Sequence, residues 1–132
     1  MLDRRHVVAA TLAMAVALPC ASLTAAADAI PFDQAAFAAA QAAGKPILVH
    51  VTAPWCTTCK AQAPILSRLL SEPRFKQLVT FDIDFDTQKA LLSKFQVRLQ
   101  STMIVFKGEQ ETGRSTGDTD PGSIEALLTK AI

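Results

Sequence analysis

Pro46 to Thr52 reads Pro-Ile-Leu-Val-His-Val-Thr, and Trp55-Cys56-Thr57-Thr58-Cys59-Lys60 follows almost at once. A short apolar run of this kind fits a strand buried on both faces, as in a parallel sheet. Such a strand needs helices above and below it, so the pattern points to a layered α/β architecture. The two cysteines stand where the next helix opens. Unpaired backbone N–H groups and the helix dipole at that end favour an anion, and a thiolate is that anion. Cys59 lies one turn deeper on the same face. The spacing predicts an exposed nucleophile at Cys56 and a more buried resolving thiol at Cys59, able to attack a mixed disulfide formed at Cys56.

Around this centre the pattern alternates between helix and strand. Asp33 is a good N-cap for a helix over Ala35 to Ala43, with Phe32 and Phe37 at the two places of a hydrophobic staple. Gly44 ends that helix. The helix that Cys56 opens runs to about Leu70, with Ile65, Leu66, Leu69 and Leu70 at helical spacing and Pro64 expected to kink it. Val79 to Phe85 places Phe81, Ile83 and Phe85 on one face and Asp82 and Asp84 on the other, as a strand does. Gln88 to Phe95 predicts a short helix, Thr102 to Phe106 a strand, Gly108 a turn and Gln110 to Thr116 an edge strand. Asp120 caps the last helix, Pro121 takes its first position, and Ile124, Leu127, Leu128 and Ala131 form its buried stripe. The order α-β-α-β-α-β-β-α predicts a mixed central sheet with helices on both faces. Its first strand-helix-strand unit is expected to be parallel.

The first 27 residues follow a different logic. Arg4 and Arg5 make a basic start, Val7 to Leu18 is apolar apart from Thr11, and Ala25-Ala26-Ala27 offers a small-residue cleavage site before Asp28. That is the layout of a secretory signal peptide. The apolar part is too short for a membrane span of roughly 20 residues, so no stable membrane insertion is expected after cleavage. Arg4-Arg5 resembles a twin-arginine export leader, with Asp3 where such leaders carry Ser or Thr. The expected organisation is a leader over residues 1–27 and one domain over 28–132, placed in the periplasm or outside the cell. Losing Arg4, Arg5 and Asp3 leaves 11 basic against 11 acidic residues. A neutral chain gives no electrostatic case for binding nucleic acid. Cys20 leaves with the leader, so two cysteines remain. That is too few for a disulfide framework, and an isolated pair at this spacing is a redox pair or half of a metal site.

The stretch from Lys45 to Lys60, with Pro64 and the later Ser101-Thr102-Met103-Ile104-Val105-Phe106-Lys107-Gly108, resembles the thioredoxin family. The likeness runs from about Phe32 to Ile132. It implies a thioredoxin fold and disulfide exchange with disulfide-containing protein substrates, recharged by a reducing dithiol protein, with no cofactor and no resident metal. Carried over by position, it makes Cys56 the nucleophile, Cys59 the resolving thiol and Trp55 part of the substrate-facing surface.

Three positions depart from the family pattern. Thioredoxins usually bury a carboxylate six residues before the first cysteine, where this chain has His50. The lysine that normally neighbours that carboxylate falls at Asp82. The polar pair is then inverted, with His50 as a base beneath Cys59 and Asp82 accepting from its other ring nitrogen to fix the tautomer. The third departure is Ser101, where the family places a cis-proline just before the position of Thr102. A non-proline cis bond costs about 3–4 kcal/mol, so a trans bond is expected. The Ser101 hydroxyl is a candidate donor to the Cys56 thiolate, and Ser101 and Thr102 are expected to meet substrate. Thr57-Thr58 lacks the histidine that strong oxidants of the family carry, which favours reductase over oxidase.

Two rival readings accompany this one. A pair of soft thiolates can hold copper(I) as a carrier, with Met103 as a third ligand, although a methionine in an apolar strand is more often core. A redox-silent interaction domain would need neither cysteine.

Overall fold

The computed structural model describes residues 28–132, and the expected leader over 1–27 lies outside the described residues. The elements are β1 (Ile30–Pro31), α1 (Gln34–Ala42), β2 (Pro46–Thr52), α2 (Thr57–Leu70), a 3-10 turn (Pro73–Phe75), β3 (Val79–Asp84), α3 (Lys89–Lys94), β4 (Thr102–Lys107), β5 (Gln110–Thr116) and α4 (Pro121–Thr129). They form one five-stranded sheet in the order β1-β3-β2-β4-β5. β1, β3 and β2 run parallel, while β4 is antiparallel to both β2 and β5. This is the expected mixed sheet, with two elements added. β1 is only two residues long, too short for any periodicity to announce it, and Pro31 is tolerated there because β1 lies at the sheet's edge. No helix among the described residues is long and apolar enough to cross a membrane.

Period-two alternation in β2 divides the interior. Ile47, Val49 and Val51 join Phe37 of α1, Leu92 of α3 and a set of phenylalanines in one core. Leu48 joins Leu66 and Leu69 of α2 and Ile124 and Leu128 of α4 in the other. Helices therefore cover both faces, and His50 shares the α2 side with Leu48. β3 alternates in step. Phe81 and Ile83 enter the aromatic core, and Asp82 pairs in register with His50. Local signals hold the frame as expected. Asp33 caps α1, Phe32 packs on Phe37 with ring centroids 5.2 Å apart, and Gly44 follows the helix at φ +68°. Pro64 lies inside α2, which continues past it to Leu70.

Candidate active site

β2 brings two kinds of chemistry to α2: the turn that carries the cysteines, and His50 on the α2-facing side. Cys56 is the N-cap of α2, and its Sγ accepts the N–H of Cys59 at 3.0 Å. The two cysteines are joined as a disulfide, with Cα atoms 5.3 Å apart. A sulfur at this place meets a backbone donor and the positive end of the helix dipole. Both stabilise a thiolate once the bond is reduced.

The expectation of an exposed Cys56 above a more buried Cys59 is corrected. Cys56 is 1% exposed and Cys59 6%. Capping folds the Cys56 sulfur back over the helix end, and Ala53 and Phe85 pack on the pair. Cys59 instead borders a cavity of about 250 Å³, which His50, Thr80 and Asp82 line together with Ala63 and Leu66. What separates the two sulfurs is the cap on one and the cavity beside the other.

His50 does not bond Asp82 as expected. Its Nδ1 lies 3.8 Å from Asp82 Oδ1, beyond hydrogen-bond range. Its Nε2 instead meets Gln62 Oε1 at 2.8 Å. The Gln62 amide nitrogen donates to the carbonyls of Ser101 at 3.2 Å and Asp118 at 2.8 Å. Carbonyls can only accept, so the amide NH2 must face them and Oε1 must face the ring. His50 Nε2 therefore carries the proton, and Gln62 sets the tautomer. Burial pushes the ring below its ordinary 6.5, against the hydrogen bond to Gln62 and the charge of Asp82. Burial pushes the Asp82 carboxyl above its ordinary 3.8, against His50. At neutral pH the ring is uncharged and the contact is no ion pair. Asp82 Oδ1 and Thr80 Oγ1 have no hydrogen-bond partner among the described residues.

These shifts act on stability in opposite directions. Ionised Asp82 costs stability as pH rises from about 3.8 through its raised folded value. His50 costs stability as pH falls below 6.5 towards its lowered folded value. Asp82→Asn is therefore expected to stabilise the protein at pH 7 by about 1 kcal/mol, a gain kept small by solvent screening, since the Asp82 side chain is 39% exposed. Urea midpoints of parent and variant across pH check it. The gain should vanish towards pH 4, and a pH-independent gain would reject this account.

Trp55 is 55% exposed, and its position is fixed from below. Its Nε1–H donates to Asp86 at 2.9 Å, and its ring meets Phe85 edge-on. Ser101 keeps its preceding peptide bond trans, with φ +60°. A non-glycine residue there stores about 1–3 kcal/mol of strain, and three hydrogen bonds hold it. Its N–H donates to Val51 O, while its carbonyl accepts from Gly117 N–H and from Gln62. The expected hydroxyl donation to Cys56 is corrected: this backbone turn lets the hydroxyl donate to the Gln100 carbonyl instead. Thr102 is buried, its hydroxyl bonded to Leu99 O and Thr116.

Sequence reasoning missed Gln62 and Asp86. A signal for Gln62 existed, because it stands one turn beyond Cys59 on the buried stripe with Leu66 and Leu69. Asp86 is 31 residues from Trp55, and no local pattern joins them. Met103 is fully buried with Leu48 and Val105 as a core residue. Among the described residues no group of three or more His, Cys, Asp or Glu is placed to hold a metal ion. The copper(I) reading is not supported.

Two sulfurs in this arrangement exchange disulfides: a mixed disulfide forms at one, the other closes the ring, and two electrons pass without a cofactor. The protein is a thiol–disulfide oxidoreductase. Comparison with known proteins agrees. The family model named Thioredoxin matches residues 28–130. The crystal structure of Trxlp from Edwardsiella tarda EIB202 superposes with a TM-score of 0.74 at 44% identity, over 76% of this chain and 98% of that one. The bifunctional thioredoxin reductase/thioredoxin of Mycobacterium leprae is 40% identical over 85 residues, which cover 64% of this chain but only 18% of that protein. The thioredoxin of Chlamydia muridarum is 35% identical over 84 residues, 64% of this chain and 80% of that one. The chain belongs to the thioredoxin family.

Proposed function

We propose that this protein is an exported reductase of protein disulfides in which His50, with Asp82 beside it, serves as the base for the resolving thiol. The observation that carries the reading is the cavity shared by Cys59, His50 and Asp82. Cys56 attacks a substrate disulfide as the thiolate. Its sulfur joins one substrate sulfur, and the other leaves as a thiol. Cys59 then gives up its proton towards His50 Nδ1, attacks Cys56 and releases the second substrate thiol. The ring is uncharged at neutral pH, the state a base needs. Trp55 offers an exposed aromatic surface for the substrate, whereas Ser101 and Thr102 are buried and use their hydroxyls inside the fold. A separate dithiol protein returns electrons to the oxidised pair. In the Mycobacterium leprae relative, as its name states, thioredoxin and thioredoxin reductase form one bifunctional protein. Export rests on Arg4, Arg5, the apolar run from Val7 to Leu18 and the alanines before Asp28.

The reduction potential of the Cys56–Cys59 pair tests the direction of electron flow. It should be measured on protein recovered from the exported fraction. With Thr57-Thr58 between the cysteines the potential should lie near about −270 mV, on the reducing side of the family range, rather than near about −120 mV. The same sample should begin within two residues of Asp28. A potential at the oxidising end would reverse the direction, and an intact leader on membrane-bound protein would replace export with anchoring.

A further inference from the structure

Gln62 is the most fully enclosed polar side chain beside the site, at 0% exposure. It stands one turn beyond Cys59 on α2, where the neighbouring stripe residues are leucines. A buried amide is costly unless its donors and acceptor are all used. Gln62 uses them on three separate segments: β2 through His50, the loop entering β4 through Ser101, and the loop before α4 through Asp118.

The consequence for His50 is chemical. A neutral imidazole has one N–H and one bare nitrogen, and the partner of the first decides which is which. Gln62 Oε1 takes the N–H at Nε2, so the bare nitrogen is Nδ1, on the side of Asp82. Without Gln62 the preference reverses. Nε2 would lose its acceptor, and Asp82 Oδ1, which has no partner among the described residues, would draw the proton to Nδ1. The nitrogen nearest the cavity's carboxylate would then be occupied and unable to take a proton.

The consequence for the loop is mechanical. Ser101 occupies the left-handed region, and its carbonyl accepts from Gly117 N–H and Gln62. The Val51 carbonyl that receives Ser101 N–H also lies 3.8 Å from Cys59 Sγ. Any shift of the Ser101 peptide is thus felt at the resolving sulfur. We propose that Gln62 is a positioning residue that keeps Nδ1 of His50 free to accept a proton and clamps the Ser101 loop against the cysteine pair. Its importance for turnover rests on the reading of His50 as the base, but its geometry does not.

Nitrogen NMR of His50 tests the proposal, together with amide hydrogen exchange at Gly117 and single-turnover kinetics. In the parent, the proton should reside on Nε2. Finding it on Nδ1 overturns the proposal without need of any variant. Gln62→Met keeps the volume and removes the amide. It should move the His50 proton to Nδ1, speed Gly117 exchange at least tenfold and slow resolution about tenfold, leaving alkylation of Cys56 at its parental rate. Gln62→Glu, which still accepts from the ring, should retain the Nε2 proton while speeding exchange. Unchanged tautomer and exchange in Gln62→Met overturn the clamp. Unchanged resolution in His50→Leu removes the base instead and leaves the clamp standing, so the two failures are distinguishable.

Discussion

Cys56→Ser abolishes catalysis of disulfide reduction, down to the background rate of the added dithiol, whereas Cys59→Ser accumulates mixed disulfides with its substrate. The difference follows from the cap. The Cys56 sulfur accepts the Cys59 N–H at the start of α2, so its thiolate is the form the helix end stabilises. A serine hydroxyl stays protonated there and attacks no sulfur. Cys59 lies inside the first turn, facing the cavity, and acts second. Losing it leaves the first attack intact and removes the only internal route of release. The measurement is reduction of a model disulfide protein with dithiol present, followed by non-reducing electrophoresis of the products. Trapping by Cys56→Ser with turnover by Cys59→Ser would reverse the roles assigned here. Parental turnover by both variants would dismiss the mechanism.

His50→Leu slows release of the mixed disulfide about a hundredfold, roughly 2.7 kcal/mol of barrier, the lower end of what a positioned base supplies. Attack by Cys56 remains near the parental rate, because His50 bonds Gln62 on the inner side of α2 and not the capping sulfur. The pH profile carries the sharper signature. Burial holds the ring below its ordinary 6.5, so the base is available at neutral pH. It is lost only as pH falls through that lowered value. Parental resolution should show this acid limb, and His50→Leu should lack it. Asp82→Ala should give a milder defect, since the carboxylate lies beside the ring without a hydrogen bond to it. Stopped-flow measurement of both steps across pH decides the matter. Equal resolution rates in parent and His50→Leu would return His50 to the core as a residue that fills space.

What could be read from the sequence depended on how far apart the partners lie. Asp33 with Phe37, Gly44 after α1, and Asp120 with Pro121 are local signals, and each stands where its pattern placed it. That His50 and Asp82 face one another was also within reach, through the likeness to the thioredoxin family, which places a polar pair at these two positions, and the two residues stand in register. The hydrogen bond between them was not. Whether two groups in register touch depends on a third, and Gln62 had already taken the ring. Exposure of Cys56 failed for a related reason. A capping position is a statement about backbone donors, whereas burial depends on Ala53 and on Phe85 from the end of another strand. Ser101 shows the same limit. The missing proline was visible in the chain, but the left-handed turn that replaces it is held by Val51, Gly117 and Gln62, which lie far from it in sequence.

The alternation of β3 against β2 also polices assembly of the sheet. A slip of one residue would exchange the two faces of β3. Asp82 would enter the apolar cluster that holds Phe32 and Phe37, and Phe81 and Ile83 would turn towards a cavity rimmed by polar groups. Correct threading is thus enforced by charge as well as by shape, and the residues beneath the cysteines act as a key that only one strand register can turn.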